Sequence, residues 1–201
     1  MLSMHSNSFT IENSTVANTY VEGHHATDLV QIFNECFQDS FNTVLVAGGE
    51  EPIYLPRSEQ FTHNRIIFTQ DYFASALHEI AHWCVAGSER RKLVDFGYWY
   101  NPDGRTQLQQ AEFERVEIKP QSLEWIFSQA CGFKFRISAD NLSAGIGASE
   151  VFRRNIVDQT QWYLSEGLPK RADIFSKALS GYYHQADFAL VDRYSFETLL
   201  V

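Results

Sequence analysis

The stretch Tyr72-Phe73-Ala74-Ser75-Ala76-Leu77-His78-Glu79-Ile80-Ala81-His82-Trp83-Cys84-Val85-Ala86 decides how this chain folds and where its chemistry sits. It predicts a helix over 72–86. No glycine or proline interrupts it, Thr69 or Asp71 stands where an N-cap belongs, and Gly87 follows where a helix stops. A helix turns about 100° per residue, so His78 and His82 lie about 40° apart on one face. Their Cβ atoms are then about 5–6 Å from each other, and two imidazoles at that spacing can meet on one metal ion. Leu77, Ile80, Ala81, Cys84 and Val85 surround them, which puts the pair at the inner edge of the fold.

Glu79 is one residue on from His78 and can lean over an ion's open position. This is the His-Glu-x-x-His arrangement of metalloproteases, a zincin-like metal-site helix whose glutamate is the general base. A third protein ligand is needed. No third histidine follows at the short spacing of the extended motif, so the carboxylates of Glu112, Glu114 and Glu117 are the candidates. Glu114 and Glu117 are three apart and can share a helix face. Glu117, close to the junction before Pro120, is the preferred ligand. Glu114 is then expected to accept a hydrogen bond from a ligand histidine. Two histidines and one carboxylate leave open positions. Non-haem Fe(II) oxygenases use them for O2, and zinc hydrolases for an activated water; the residues alone fit both.

Outward from this helix the pattern is mixed. Leu29, Ile32, Phe33 and Phe37 recur at helical spacing over 26–38. Strands are predicted at 42–47, ended by Gly48-Gly49, and at 65–69, with Tyr54-Leu55-Pro56 extended between them. A helix over 106–118 and a second over 120–131, opened by Pro120 and closed by Gly132, come next. Phe133-Lys134-Phe135-Arg136-Ile137 alternates like a strand, Ser143 to Gly147 reads as a loop, and helices cover 149–166 and 169–183, the last begun by Pro169. Residues 1–25 are polar and read as a loosely ordered N-terminal extension, leaving 26–201 as one domain. The expected fold is α+β: a mostly helical single domain with a small sheet.

Composition supports one globular core, with 201 residues of which 44% are hydrophobic. A net charge of −9 disfavours general nucleic-acid binding. No apolar run is long enough to span a bilayer, and the start lacks the basic and apolar regions of a signal peptide, so a cytoplasmic protein is expected. Cys36, Cys84 and Cys131 follow no disulfide or zinc-finger spacing, and Cys84 and Cys131 read as small core residues. Lone His63 and His184 read as structural or exposed.

Longer stretches carry a resemblance. They are Glu51-Pro52-Ile53-Tyr54-Leu55-Pro56, Ala76 to Cys84, Leu93-Val94-Asp95-Phe96-Gly97-Tyr98-Trp99-Tyr100, Pro102-Asp103-Gly104-Arg105 and Phe113 to Gln121. Through them the chain resembles the elongation factor P hydroxylase family from about residue 26 to about residue 185. The resemblance implies a non-haem iron enzyme that uses O2 to hydroxylate the β-lysylated lysine of the translation factor elongation factor P. It implies a centre like that of metalloproteases, with Fe(II) held by His78, His82 and one of Glu114 or Glu117. Glu79 would then be a polar support or proton relay. A zinc peptidase using Glu79 as base is the competing expectation. Tyr98, Trp99 and Tyr100 can line an entrance for a lysine chain, and Arg90, Arg91 and Lys92 can meet an acidic partner surface; packing and solvation are the plainer roles for both groups.

Overall fold

The computed structural model describes residues 23–95, 104–139 and 147–200. Helix α1 (Ala26–Phe41) buries Leu29, Ile32, Phe33 and Phe37, and ends at Asn42, whose positive φ of 48° turns the chain directly into strand β1 (Thr43–Gly49). Asparagine tolerates this left-handed conformation better than most residues. Strands β2 (Ile53–Leu55) and β3 (Asn64–Thr69) complete a sheet of order β1-β3-β2. The β1–β3 pairing is parallel, with Leu45 opposite Ile66, and β2 runs antiparallel to β3, with Tyr54 opposite Ile66. Gly49 sits where the β1–β3 register shifts; a Cβ there would lie 2.9 Å from the Glu51 carbonyl oxygen and from Ile67, so the backbones meet only without a side chain.

Helix α2 (Phe73–Val85) carries the two histidines and packs against α3 (Gln107–Cys131), β3, α1 and α5 (Lys170–Tyr183). Its ends differ from expectation. Neither Thr69 nor Asp71 caps it: Tyr72 is the N-cap residue, and the Ser75 hydroxyl accepts a hydrogen bond from the Thr69 N–H at 3.1 Å. At the other end the Arg171 guanidinium, on α5, donates to the carbonyl oxygens of Trp83, Cys84 and Ala86 at 2.8, 3.1 and 2.6 Å. A cation there satisfies carbonyls that have no partner in the helix and complements the helix dipole. Arg171 also lies 4.7 Å over the Trp83 ring, which joins Phe33, Phe37 and Phe175 in an aromatic core.

The largest departure is α3. The expected break at Pro120 is absent: one 25-residue helix runs through it. An interior proline removes one hydrogen bond and costs about 3 kcal/mol. Here both halves bury one face, and that shared burial outweighs the defect. A capping box of Thr106 with Gln109 starts the helix, and Gly132, at φ 69°, ends it. Phe133 to Ile137 is not a strand. Its alternation is real, since Phe133, Phe135 and Ile137 pack on the core while Lys134 and Arg136 are exposed. No neighbouring described strand pairs with it. Helix α4 (Glu150–Glu166) and α5 fall where expected, with Pro169 just before α5 rather than inside it. A short α6 (Phe196–Leu199) and 3-10 turns at Arg90–Lys92 and Val191–Arg193 were not anticipated. The fold is therefore α+β, mostly helical with a three-stranded sheet, as expected. His24 is not loose: its Nε2 lies 2.8 Å from the Cys131 carbonyl oxygen and its ring stacks on Tyr183.

Candidate metal centre

The site lies where α2 crosses α3. His78 and His82 point from α2 at one face of α3, and their Nε2 atoms approach to 3.0 Å. Glu117, only 3% exposed, presents Oε1 at 3.3 Å to His82 Nε2 and Oε2 at 3.8 Å to His78 Nε2. One donor atom from each of the three lies within 4.8 Å of the others. That is a converging two-imidazole, one-carboxylate set, and it fits a divalent transition metal by donor chemistry.

The face of α3 that does this is a buried polar stripe: Gln110, Glu114, Glu117, Gln121, Glu124 and Ser128. Their steps alternate four and three, which keeps them on one side of the helix. Glu124 Oε2 lies 2.8 Å from His78 Nδ1. A carboxylate accepts, so Nδ1 carries the proton, and neutral His78 offers its Nε2 lone pair to the site. Gln121 donates its amide to Glu117 Oε2 at 3.2 Å and to the Ser138 carbonyl oxygen at 2.7 Å, and accepts from the Ser138 N–H. Gln110 donates to the Ala139 carbonyl oxygen at 2.8 Å.

Glu114, expected to accept from a ligand histidine, does not. Its oxygens accept from the Ser149 N–H at 2.9 Å and hydroxyl at 2.6 Å, and Gln110 is its other neighbour. Glu124 is the carboxylate on His78, nearly three turns further along. Sequence reasoning passed over Glu124 and Gln121 because it ended the helix before Pro120. The signal was the four–three spacing of polar residues continuing across that proline. Glu112 points outward and pairs with Arg115.

Charges explain the protonation of the site when protons take the place of a cation. Burial lowers the His78 pKa, but the Glu124, Glu117 and Glu79 carboxylates outweigh it and raise it to about 10. Burial raises that of Glu117, yet His82, His78 and Gln121 hold it down at about 2. Glu79 is raised, chiefly by burial. It lines a pocket beside His82 with Tyr54, Trp83, Arg91 and Asp95. The outer edge of β2 is closed there, since Tyr54 and Asp95 exchange backbone hydrogen bonds at 2.7 and 3.0 Å.

The other singled-out residues fall into place. Arg90 is ion-paired with Asp95, and Lys92 with Glu89. His63 Nδ1 contacts Asn42 Oδ1 at 2.6 Å, and His184 is the exposed residue that ends α5. Cys84 and Cys131 are buried free thiols, both pushed up to about 12 by burial. Tyr98, Trp99, Tyr100 and Asp103 lie outside the described residues.

Two imidazoles and one carboxylate converging between two helices of an α+β fold define the class of a candidate metal centre, a donor set that hydrolases and oxygenases both use. The sequence decides further. The model of the elongation factor P hydroxylase family matches residues 32–193, and the chain belongs to that family. It is similar to the elongation factor P lysine hydroxylase of Haemophilus influenzae, 51% identical over 164 residues, which are 82% of this chain and 92% of that protein.

Proposed function

We propose that this protein hydroxylates a lysine side chain of elongation factor P, the one carrying a β-lysyl group, with O2 as co-substrate and Fe(II) as the working metal. What carries the reading is the convergence of His78, His82 and Glu117 in a chain 51% identical to an elongation factor P lysine hydroxylase. His78, His82 and Glu117 would hold the iron. Bound there, iron supplies the oxidising chemistry that an unactivated carbon requires and that redox-inert zinc lacks. The chain's own residues do the rest. Glu124 fixes the tautomer of His78 through Nδ1. Gln121 holds one oxygen of Glu117, leaving the other to face His82. Glu79 stands beside His82 as a polar group of the pocket rather than as a hydrolytic base. Glu114 acts at a distance by fixing Ser149.

The peptidase alternative is the weaker reading. Cleaving an extended peptide calls for a free strand edge to pair with it. Beside the site that edge is β2, and Asp95 already occupies it at Tyr54. The partner would be a folded translation factor, and the reaction would take place in the cytoplasm with no direct role for nucleic acid or membrane. No described helix is long and apolar enough to cross a membrane. The test supplies ¹⁸O2 to cells making both proteins. A heavy-oxygen mass gain on the lysine of elongation factor P is expected; label entering from water, or no gain, defeats the reading.

A further inference from the structure

Gln121 joins a candidate ligand to a part of the chain that carries none. It stands four residues after Glu117, so the two share a face of α3. It is fully buried. Its amide nitrogen donates to Glu117 Oε2 at 3.2 Å and to the Ser138 carbonyl oxygen at 2.7 Å, and its amide oxygen accepts from the Ser138 N–H at 3.1 Å. The two ends of a primary amide differ: the nitrogen donates and the oxygen accepts. Ser138 offers one backbone donor and one backbone acceptor, so only one orientation matches both. Turning the amide over would set oxygen against oxygen and N–H against N–H, which a buried group does not tolerate. The backbone of Ser138 therefore decides that Glu117 meets an N–H, whichever proton the carboxyl itself carries.

That N–H falls on one oxygen only. Oε2 shares its electrons with Gln121 and stands 3.8 Å from His78 Nε2, whereas Oε1 stands 3.3 Å from His82 Nε2. A cation and a donated hydrogen compete for the same lone pairs, so an ion seated among the three side chains finds Oε1 the better donor. Offering both oxygens would mean breaking the clasp between Gln121 and Ser138.

We infer that Gln121 is a positioning residue that restricts Glu117 to ligation through Oε1, and that Ser138 imposes this restriction from outside the two helices that carry the ligands. The inference rests on the reading of His78, His82 and Glu117 as a metal site, and not on the identity of the substrate. A carboxylate can bind an ion through one oxygen or two. Holding it to one leaves a further position on the ion for exchangeable groups.

Cobalt(II) is the probe, because its visible absorption weakens as its coordination number rises. The chain is loaded with one equivalent, and its spectrum is compared with those of two variants that open the clasp from opposite ends. Gln121→Met removes the amide at similar length. Ser138→Pro removes the N–H that orients the amide and leaves α3 untouched. Ser138 is exposed, so water can meet its backbone groups once the clasp is open, and both variants should keep the helical circular-dichroism signal. In Gln121→Met the visible bands should lose intensity as Oε2 joins Oε1 on the ion, and affinity in a chelator competition should fall by about tenfold. Ser138→Pro should show a smaller loss of band intensity in the same direction. Unchanged bands in Gln121→Met at full cobalt occupancy would overturn the inference even if affinity fell, since a merely structural glutamine would weaken binding without altering the ion's surroundings. If Gln121→Met does not hold its fold, Ser138→Pro decides in the same way, and unchanged bands there end the inference. Cobalt that binds the unaltered chain with bands shared by both variants refutes the role of Gln121 alone; an unaltered chain that takes up no cobalt brings down the metal-site reading and this inference together.

Discussion

Helices α2 and α3 supply the two halves of one site by opposite means. α2 has 13 residues, seven of them buried hydrophobic side chains, and its two histidines are polar exceptions on an apolar rod. α3 has 25 residues and buries glutamates, glutamines and serine along the face that meets those histidines. The first is held by packing. The second is held by partners distant in sequence: His78 for Glu124, Ser138 for Gln121 and Ser149 for Glu114. A buried polar group is tolerated only when such a partner exists. α2 thus declares its role locally, whereas α3 does so only once the chain is folded.

Removing the meeting point should have the largest effect. The double variant His78→Ala, His82→Ala, or Glu117→Ala alone, should abolish stoichiometric metal binding by elemental analysis, with the helical circular-dichroism signal retained. Full metal content in any of them would break the pairing of the two helices around one ion. Next is the contact that carries no ligand atom. Glu124→Gln should lower metal affinity by about 10- to 100-fold in a chelator competition, the usual cost of losing a carboxylate behind a ligand histidine. Unchanged affinity would make Glu124 a bystander.

The ends of the two helices sharpen the contrast on a smaller scale. α2 is closed from outside by Arg171, so Arg171→Ala should destabilise the protein by about 3 kcal/mol in urea unfolding, given its several charge-assisted hydrogen bonds. α3 is opened by its own neighbour, so Thr106→Ala should cost only about 1 kcal/mol in the same measurement. If the two losses come out equal, the distinction between a locally and a remotely secured helix fails.

Much of this was legible in advance. The spacing of His78 and His82, the strands expected at 42–47 and 65–69 and the last long helices are local signals, and they appear close to place, though the first strand runs on through Gly48 and Gly49, which were expected to end it. Three things were not. Pro120 is a local breaker whose effect was overruled by burial on both sides of it. The Phe133–Ile137 alternation reports which side chains are buried, not whether a strand lies alongside. The role of Glu124 depends on a contact 46 residues away in sequence. Glu117 was favoured over Glu114 from its position near Pro120. The geometry brings Glu117 to both histidines and sends Glu114 to Ser149. That choice came from the wrong helix boundary, because no start of a new helix exists there.

The polar stripe also constrains how this chain can vary in length. Adding or deleting one residue between Glu117 and Gln121 would rotate everything beyond it by about 100°. The carboxylate behind His78 and the glutamine clasping Ser138 would swing away together. Gene length can drift in the connections between helices, but within that part of α3 a single-codon insertion would be paid for at several contacts simultaneously. Relatives with working sites should therefore carry their insertions and deletions elsewhere, and this span should keep its residue count where its individual letters have changed.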